Sequence, residues 1–148
     1  MSKLNYKSNQ ELCSDPMIVL KDKDSCSIRL KNSDRKKVYK VVVDDGLIRD
    51  RKGANSSKCD YLVYSYEKYE LVVYIELKGK NIENAIKQLE ATIQVTKDDF
   101  KDYKKRKAYI SSNTSPKTIF RQKQVQFTRK SGVPLFVCTP RDDNNLWD

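Results

Sequence analysis

The sequence predicts an α/β fold, in which a mixed β-sheet, built from an antiparallel meander plus further strands, is flanked by helices. Three observations carry this. Runs rich in β-branched and aromatic residues at 38–43, 59–64 and 70–78 are separated by turn and loop residues, as in a meander. Two segments with helical signals then alternate with two short apolar runs, the pattern of strands joined through helices. At 148 residues the chain can bury one core without disulfide or metal staples. No repeat or linker interrupts it, so one domain is expected over 1–148, with the core at 38–139 and an extension at 1–37 whose structure the sequence leaves open.

Each element has a local reason. Ser8 to Leu12 reads as the start of a short helix, limited by Pro16, and 18–20 and 27–30 read as short strands. Val38-Tyr-Lys-Val-Val-Val43 is a strand stopped by Asp44-Asp45-Gly46. A basic loop with Gly53 leads to the strand Cys59-Asp-Tyr-Leu-Val-Tyr64, and the third strand runs from Glu70 to Lys78. Gly79-Lys80-Asn81 breaks the pattern. Asn81 is an N-cap, Glu83 suits the first turn, and Ile82, Ala85, Ile86, Leu89 and Ile93 repeat at helical spacing. The basic run Lys104 to Lys107 precedes a buried strand at 108–110. Ser115-Pro116 opens a second helix over 117–130, Gly132 closes it, and 133–139 is the last strand.

The chain carries 30 Lys and Arg against 20 Asp and Glu, a net charge of +10, which favours polyanionic partners. It has no histidine, which excludes Ser-His-Asp and Cys-His catalysis, imidazole zinc sites and histidine-dependent nucleases. The four cysteines, Cys13, Cys26, Cys59 and Cys138, form no CxxC pair. Cys59 and Cys138 lie in apolar runs and read as small buried hydrophobes. The amino terminus lacks an apolar signal core and no stretch reaches membrane-span length, so the expectation is a cytoplasmic protein with reduced thiols and no membrane partner.

The chemistry concentrates at the end of the third strand. Residues two apart in a strand share a side, so Glu76 and Lys78 project with Val72 and Tyr74, opposite Leu71, Val73, Ile75 and Leu77. Asp60 heads the neighbouring strand, so two carboxylates and an amine converge at one edge. Mg²⁺ (or Mn²⁺) takes hard oxygen ligands and needs only one or two protein carboxylates. Asp60 and Glu76 supply these and the Leu77 carbonyl a third oxygen, while Lys78 stabilises charge developing on a phosphate.

Asp60, a gap of fifteen residues, then Glu76-Leu-Lys78 resembles the PD-(D/E)xK nuclease superfamily, which includes restriction endonucleases and Holliday-junction resolvases. The resemblance implies a restriction endonuclease-like core of meander, helix and further strand, with Asp60 and Glu76 as metal ligands and Lys78 as the catalytic lysine. Cys59 stands where proline often precedes the aspartate. Many members place a glutamate ahead of the meander, and Glu11 is the only early one here. Some carry a glutamine on the following helix that faces the active centre, a position Gln88 matches, so Gln88 is either a further catalytic-site residue or a solvent-exposed polar one.

The implied function is Mg²⁺-dependent cleavage of nucleic acid, DNA before RNA, by a homodimer or with a partner subunit supplying recognition. The alternatives are a non-catalytic nucleic-acid binder or a protein-interaction module of the same fold. Phosphate contacts are expected from Arg49, Arg51, Lys52 and Lys58 in the loop before Asp60, from Lys80, and from Lys117 and Arg121, which share a helix face with Gln124 and Thr128. Lys104 to Lys107 either join them or form a solvated face. Tyr61, Tyr64, Tyr66, Tyr69 and Tyr74 either stack on bases or pack within the sheet.

Overall fold

The computed structural model describes residues 4–22, 26–48, 58–77, 81–113 and 119–148. In chain order these form β1 (Gln10–Cys13), β2 (Met17–Lys21), β3 (Ser27–Lys31), β4 (Val38–Val42), β5 (Tyr61–Ser65), β6 (Leu71–Leu77), α1 (Ile82–Thr96), β7 (Lys105–Ser111), α2 (Ile119–Ser131), β8 (Leu135–Cys138) and β9 (Asp143–Asn145). The chain is mixed α/β. A six-stranded sheet runs β1-β4-β5-β6-β7-β8, and a three-stranded sheet runs β2-β3-β9. In the large sheet β1, β4, β5 and β6 pair antiparallel, then β7 and β8 join in parallel, each reached through a helix. Antiparallel neighbours need only a turn, whereas parallel ones need a crossover, and α1 and α2 are the crossovers.

β6 is buried along its whole length because both of its faces are covered. Val72 and Tyr74 pack with Ala85, Leu89 and Ile93 of α1 and with Phe120 and Phe127 of α2. Leu71, Val73, Ile75 and Leu77 pack with Ile18, Leu20, Ile28 and Leu30 of the small sheet. The expected alternation along this strand therefore holds, and the sheet lies between a helical layer and a second β layer. α1 begins as expected, with the Asn81 side chain accepting the Asn84 amide at 3.1 Å. α2 ends before Gly132, whose φ of +75° suits a residue without Cβ. Ser115 and Pro116, the expected start of α2, lie outside the described residues.

Residues 8–12 are not helical: Gln10–Cys13 pairs with β4, with Gln10 opposite Val41 and Cys13 opposite Val38. A five-residue segment nucleates a helix poorly, and the free edge of β4 offers its backbone a ladder instead. Glu11 lies on this outer strand, its carboxylate 3.6 Å from Lys40 Nζ, with β4 and β5 between it and β6.

The basic run before 108–110 is also assigned differently. Its last three residues open β7, and two of its lysines hold the end of β9 and the residues after it: Lys105 Nζ donates to the Trp147 carbonyl, and Lys107 Nζ to the carbonyls of Asn145 and Asp148 at 3.1 and 3.0 Å. Lys107 is only 4 % exposed. Burial, and then the like charge of Lys105, lowers its pKa to about 8, with Asp148 opposing. With a folded pKa below the unfolded one, the cost of burying this ammonium is fully present below pH 8 and is relieved as pH rises toward the unfolded value. The stability of the wild type relative to Lys107→Met, measured by urea unfolding, is expected to increase between pH 8 and 10. A flat difference over that range contradicts the assignment.

All four cysteines are buried and free, as expected for Cys59 and Cys138. Burial is the leading cause that raises each thiol pKa, to about 11 at Cys138. Most of the tyrosines pack rather than face solvent. Tyr74 bonds Thr96 Oγ1 at 2.8 Å, Tyr61 donates to the Lys21 carbonyl, and Tyr64 meets Tyr6, Tyr39, Phe100 and Tyr103 on the helical side. Tyr66 and Tyr69 stay exposed.

Candidate active site at the end of β5 and β6

Parallel strands in an α/β sheet leave a crevice beyond their C-terminal ends, where ligands collect. Here that end holds the start of β5, the end of β6 and the end of β7. The register pairs Tyr61 with Ile75, so one step further sets Asp60 opposite Glu76. On the other side of β6, Glu76 pairs with Ile110 and Leu77 with Ser111.

Asp60 sits at a bend ahead of β5. The bend breaks the strict alternation, so Cys59 lies in the helix-side core beside Leu62 instead of on the opposite face. The Asp60 carboxylate turns across to β6 and accepts the Leu77 amide on Oδ2 at 2.7 Å. One backbone bond thus locks the aspartate to the Glu76-Leu77 segment. Glu76 is 2 % exposed, on the same side as Val72 and Tyr74. The Cys59 thiol senses both acids: burial pushes its pKa far up, the Thr92 hydroxyl opposes this, and the charges of Glu76 and Asp60 add to the rise. The thiol therefore lies within the field of both carboxylates.

α1 roofs this end. Thr92 Oγ1 accepts the Cys59 amide at 2.9 Å and donates to the Gln88 carbonyl, one turn earlier. Gln88 shares that stripe of the helix, and its Oε1 is buried with no hydrogen-bond partner among the described residues. A buried acceptor without a partner costs about 1–3 kcal/mol, which a bound water or ligand would relieve. Gln88 as a whole is half-buried, with its Oε1 turned away from solvent.

Sequence reasoning passed over Asp22. It ends the β2–β3 hairpin arm, accepts the Cys26 amide on Oδ1, and its charge, like that of Asp60, raises the pKa of Tyr61 and Cys26 after burial. No signal in the sequence brings it here, because the small sheet carries it across the large one. Ser111 and Cys26 join the same wall through the Cys26 Sγ contact to the Ser111 carbonyl at 3.3 Å.

Lys78 lies outside the described residues, as do Arg49, Arg51, Lys52, Lys80 and Lys117. Lys58 is buried just ahead of Cys59 rather than presented to solvent. Arg121 is exposed on α2. Gln124, expected on the same open face, instead donates to the Leu135 carbonyl at 2.8 Å and caps β8. Other α2 cations are tied to α1: Lys123 pairs with Glu83, and Lys130 lies 3.5 Å from Glu90.

Among the described residues no group of three or more cysteine, aspartate or glutamate side chains could hold a metal. The Asp60–Glu76 arrangement has two carboxylates, the number a hydrated Mg²⁺ requires when a backbone carbonyl and waters complete its shell. Its hard-oxygen donors fit that ion and not a soft thiophilic one. Among the described residues no helix is long and apolar enough to cross a membrane.

No protein-family model, no curated protein and no solved structure matches the chain.

Proposed function

We propose that the chain is a Mg²⁺-dependent nuclease with a restriction endonuclease-like core, hydrolysing phosphodiester bonds in DNA in preference to RNA. The carrying observation is the Asp60 carboxylate, set opposite Glu76 across β5 and β6 and fixed by the Leu77 amide. The order of meander (β4–β6), helix (α1) and parallel strand (β7) supports the same reading, as does the excess of basic over acidic residues.

Asp60, Glu76 and the Leu77 carbonyl would hold the cation. When bound, it supplies Lewis-acid activation of water and charge neutralisation at the phosphate. The chain's own groups do the rest. The Leu77 amide keeps the Asp60 carboxylate from rotating, so no reorganisation is needed when a phosphate arrives. The burial of Glu76 lowers the local dielectric and strengthens its attraction for cations. Gln88 Oε1 accepts a hydrogen bond from a water and so aligns it. Lys78 stabilises negative charge on the phosphate. Exposed Arg121, with Arg49, Arg51 and Lys52, holds the backbone without reading sequence, and a second copy or partner subunit supplies the other strand's cut or the recognition.

The test is a panel of supercoiled plasmid and short single- and double-stranded DNA and RNA, incubated with Mg²⁺, Mn²⁺ or EDTA. Metal-dependent cleavage is expected, and no cleavage of any substrate with either metal defeats the proposal. One observation favours a second reading, a non-catalytic nucleic-acid binder: Glu11 is remote from β6, so the early glutamate of many family members has no counterpart there. That reading gives salt-sensitive binding with no cleavage.

A further inference from the structure

At the opposite end of the β5–β6 hairpin, six residue intervals and roughly 20 Å along β6 from Glu76, lies a cavity of about 350 Å³ lined by Lys36, Lys37, Ser65, Glu67, Lys68, Glu70 and Trp147. Three features mark it as more than a lysine-rich surface. Trp147 is held from beneath, its indole N–H donating at 2.8 Å to Asn32, which is fully buried. Lys36 Nζ stands 4.5 Å from the indole centroid, and Lys37 Nζ stands 5.5 Å from the ring of Tyr66. Ser65 is 4 % exposed, and its oxygen accepts the amides of Glu70 and Leu71 at 3.0 and 3.2 Å, which leaves its own proton for an acceptor in the cavity.

The wall that closes this cavity is strained. Lys68 and Tyr69 both adopt left-handed backbone, with φ of 65° and 47°. Such positions suit glycine or asparagine, and each costs a lysine or tyrosine about 1 kcal/mol or more. The strain is held by the Ser65 bonds and by the Lys104 amide donating to the Tyr69 carbonyl at 2.9 Å. Its result is to set Lys68 on the cavity rim and to leave the Tyr69 ring 62 % exposed, edge-on to Tyr103.

We infer that this cavity binds a nucleotide, with the base against Trp147 and the phosphate among Lys36, Lys37 and Lys68. The ammonium groups and the Ser65 hydroxyl are donors for phosphate oxygens, and the indole is a stacking face. Glu67, and Glu70 beside Lys36 Nζ at 3.9 Å, accept from base N–H or sugar hydroxyl groups, which inorganic phosphate lacks. The same chemistry is met by a free nucleotide and by one unit of a single strand. This inference does not rest on the nuclease reading, since none of its residues belongs to the Asp60–Glu76 end.

Trp147 is the single tryptophan of the chain, so intrinsic fluorescence reports on this cavity directly. Thymidine monophosphate and single-stranded oligo-dT are titrated in EDTA against the wild type, Glu76→Gln and the Lys36→Met/Lys68→Met double variant. Circular dichroism checks that each is folded. Saturable quenching is expected in the wild type and in Glu76→Gln, with affinity reduced about tenfold or more in the double variant. Quenching by both ligands assigns a general nucleotide site, and quenching by oligo-dT alone assigns a strand site. No saturable quenching by either ligand, or equal affinity in the double variant, overturns the inference.

Discussion

Glu76→Gln and Asp60→Asn are each expected to lower Mg²⁺-dependent plasmid cleavage by on the order of a thousandfold, about 4 kcal/mol of transition-state stabilisation. Both substitutions keep shape and remove charge, and the cation site has only two carboxylates to lose. Asp60→Asn also replaces one carboxylate oxygen by an amide, so the Leu77 N–H bond persists only in one amide orientation. A stability readout separates loss of metal from loss of fold. A ligand at a hundred times its dissociation constant stabilises the native state by about 2.7 kcal/mol. Mg²⁺ should therefore raise the melting temperature of the wild type and leave that of Glu76→Gln unchanged. Full activity in either variant removes the acids from the mechanism.

The largest stability effect is expected away from that site, at Asn32. It is wholly buried just beyond β3 and serves four partners: Nδ2 donates to the carbonyls of Asp15 and Lys36 at 3.0 and 2.9 Å, and Oδ1 accepts the Trp147 indole N–H at 2.8 Å and the Lys36 amide at 3.3 Å. Its own amide donates to the Pro16 carbonyl at 2.7 Å. One side chain thus ties the start of the β2–β3 hairpin to the segment before β4 and to the chain after β9. Asn32→Leu conserves volume and orphans several polar groups, each worth about 1–3 kcal/mol where water cannot enter. A loss of about 3 kcal/mol or more is expected in urea, as a lower midpoint with unchanged slope. A change below about 0.5 kcal/mol, the size of an ordinary surface substitution, contradicts this account.

The elements that the sequence announced are those whose reasons are local. The meander of β4, β5 and β6 follows from β-branched runs and turn residues, α1 from Asn81 and the repeat of Ala85, Leu89 and Ile93, and the end of α2 from Gly132. The same alternation placed Glu76 with Tyr74, and the strand order set Asp60 beside it. What stayed hidden depends on distant pairing. β1 is strand because β4 has an open edge, and β9, which reads Asp-Asn-Asn, is strand because it lies parallel to β3 more than a hundred residues earlier in the chain. The small sheet that β9 completes is what brings Asp22 to the site and turns Lys105 and Lys107 from a charged run into ties for the last residues. Gln88 was legible as a position on α1, but the burial of its Oε1 depends on how the helix, held by Thr92 at the Cys59 amide, seats on the sheet.

The most direct test of the central claim is a crystal of the protein soaked in Mn²⁺ and measured at the manganese absorption edge. An anomalous peak bounded by Asp60, Glu76 and the Leu77 carbonyl, lost in a Glu76→Gln crystal soaked alike, is the predicted result. A fully soaked crystal with no manganese between these groups contradicts it.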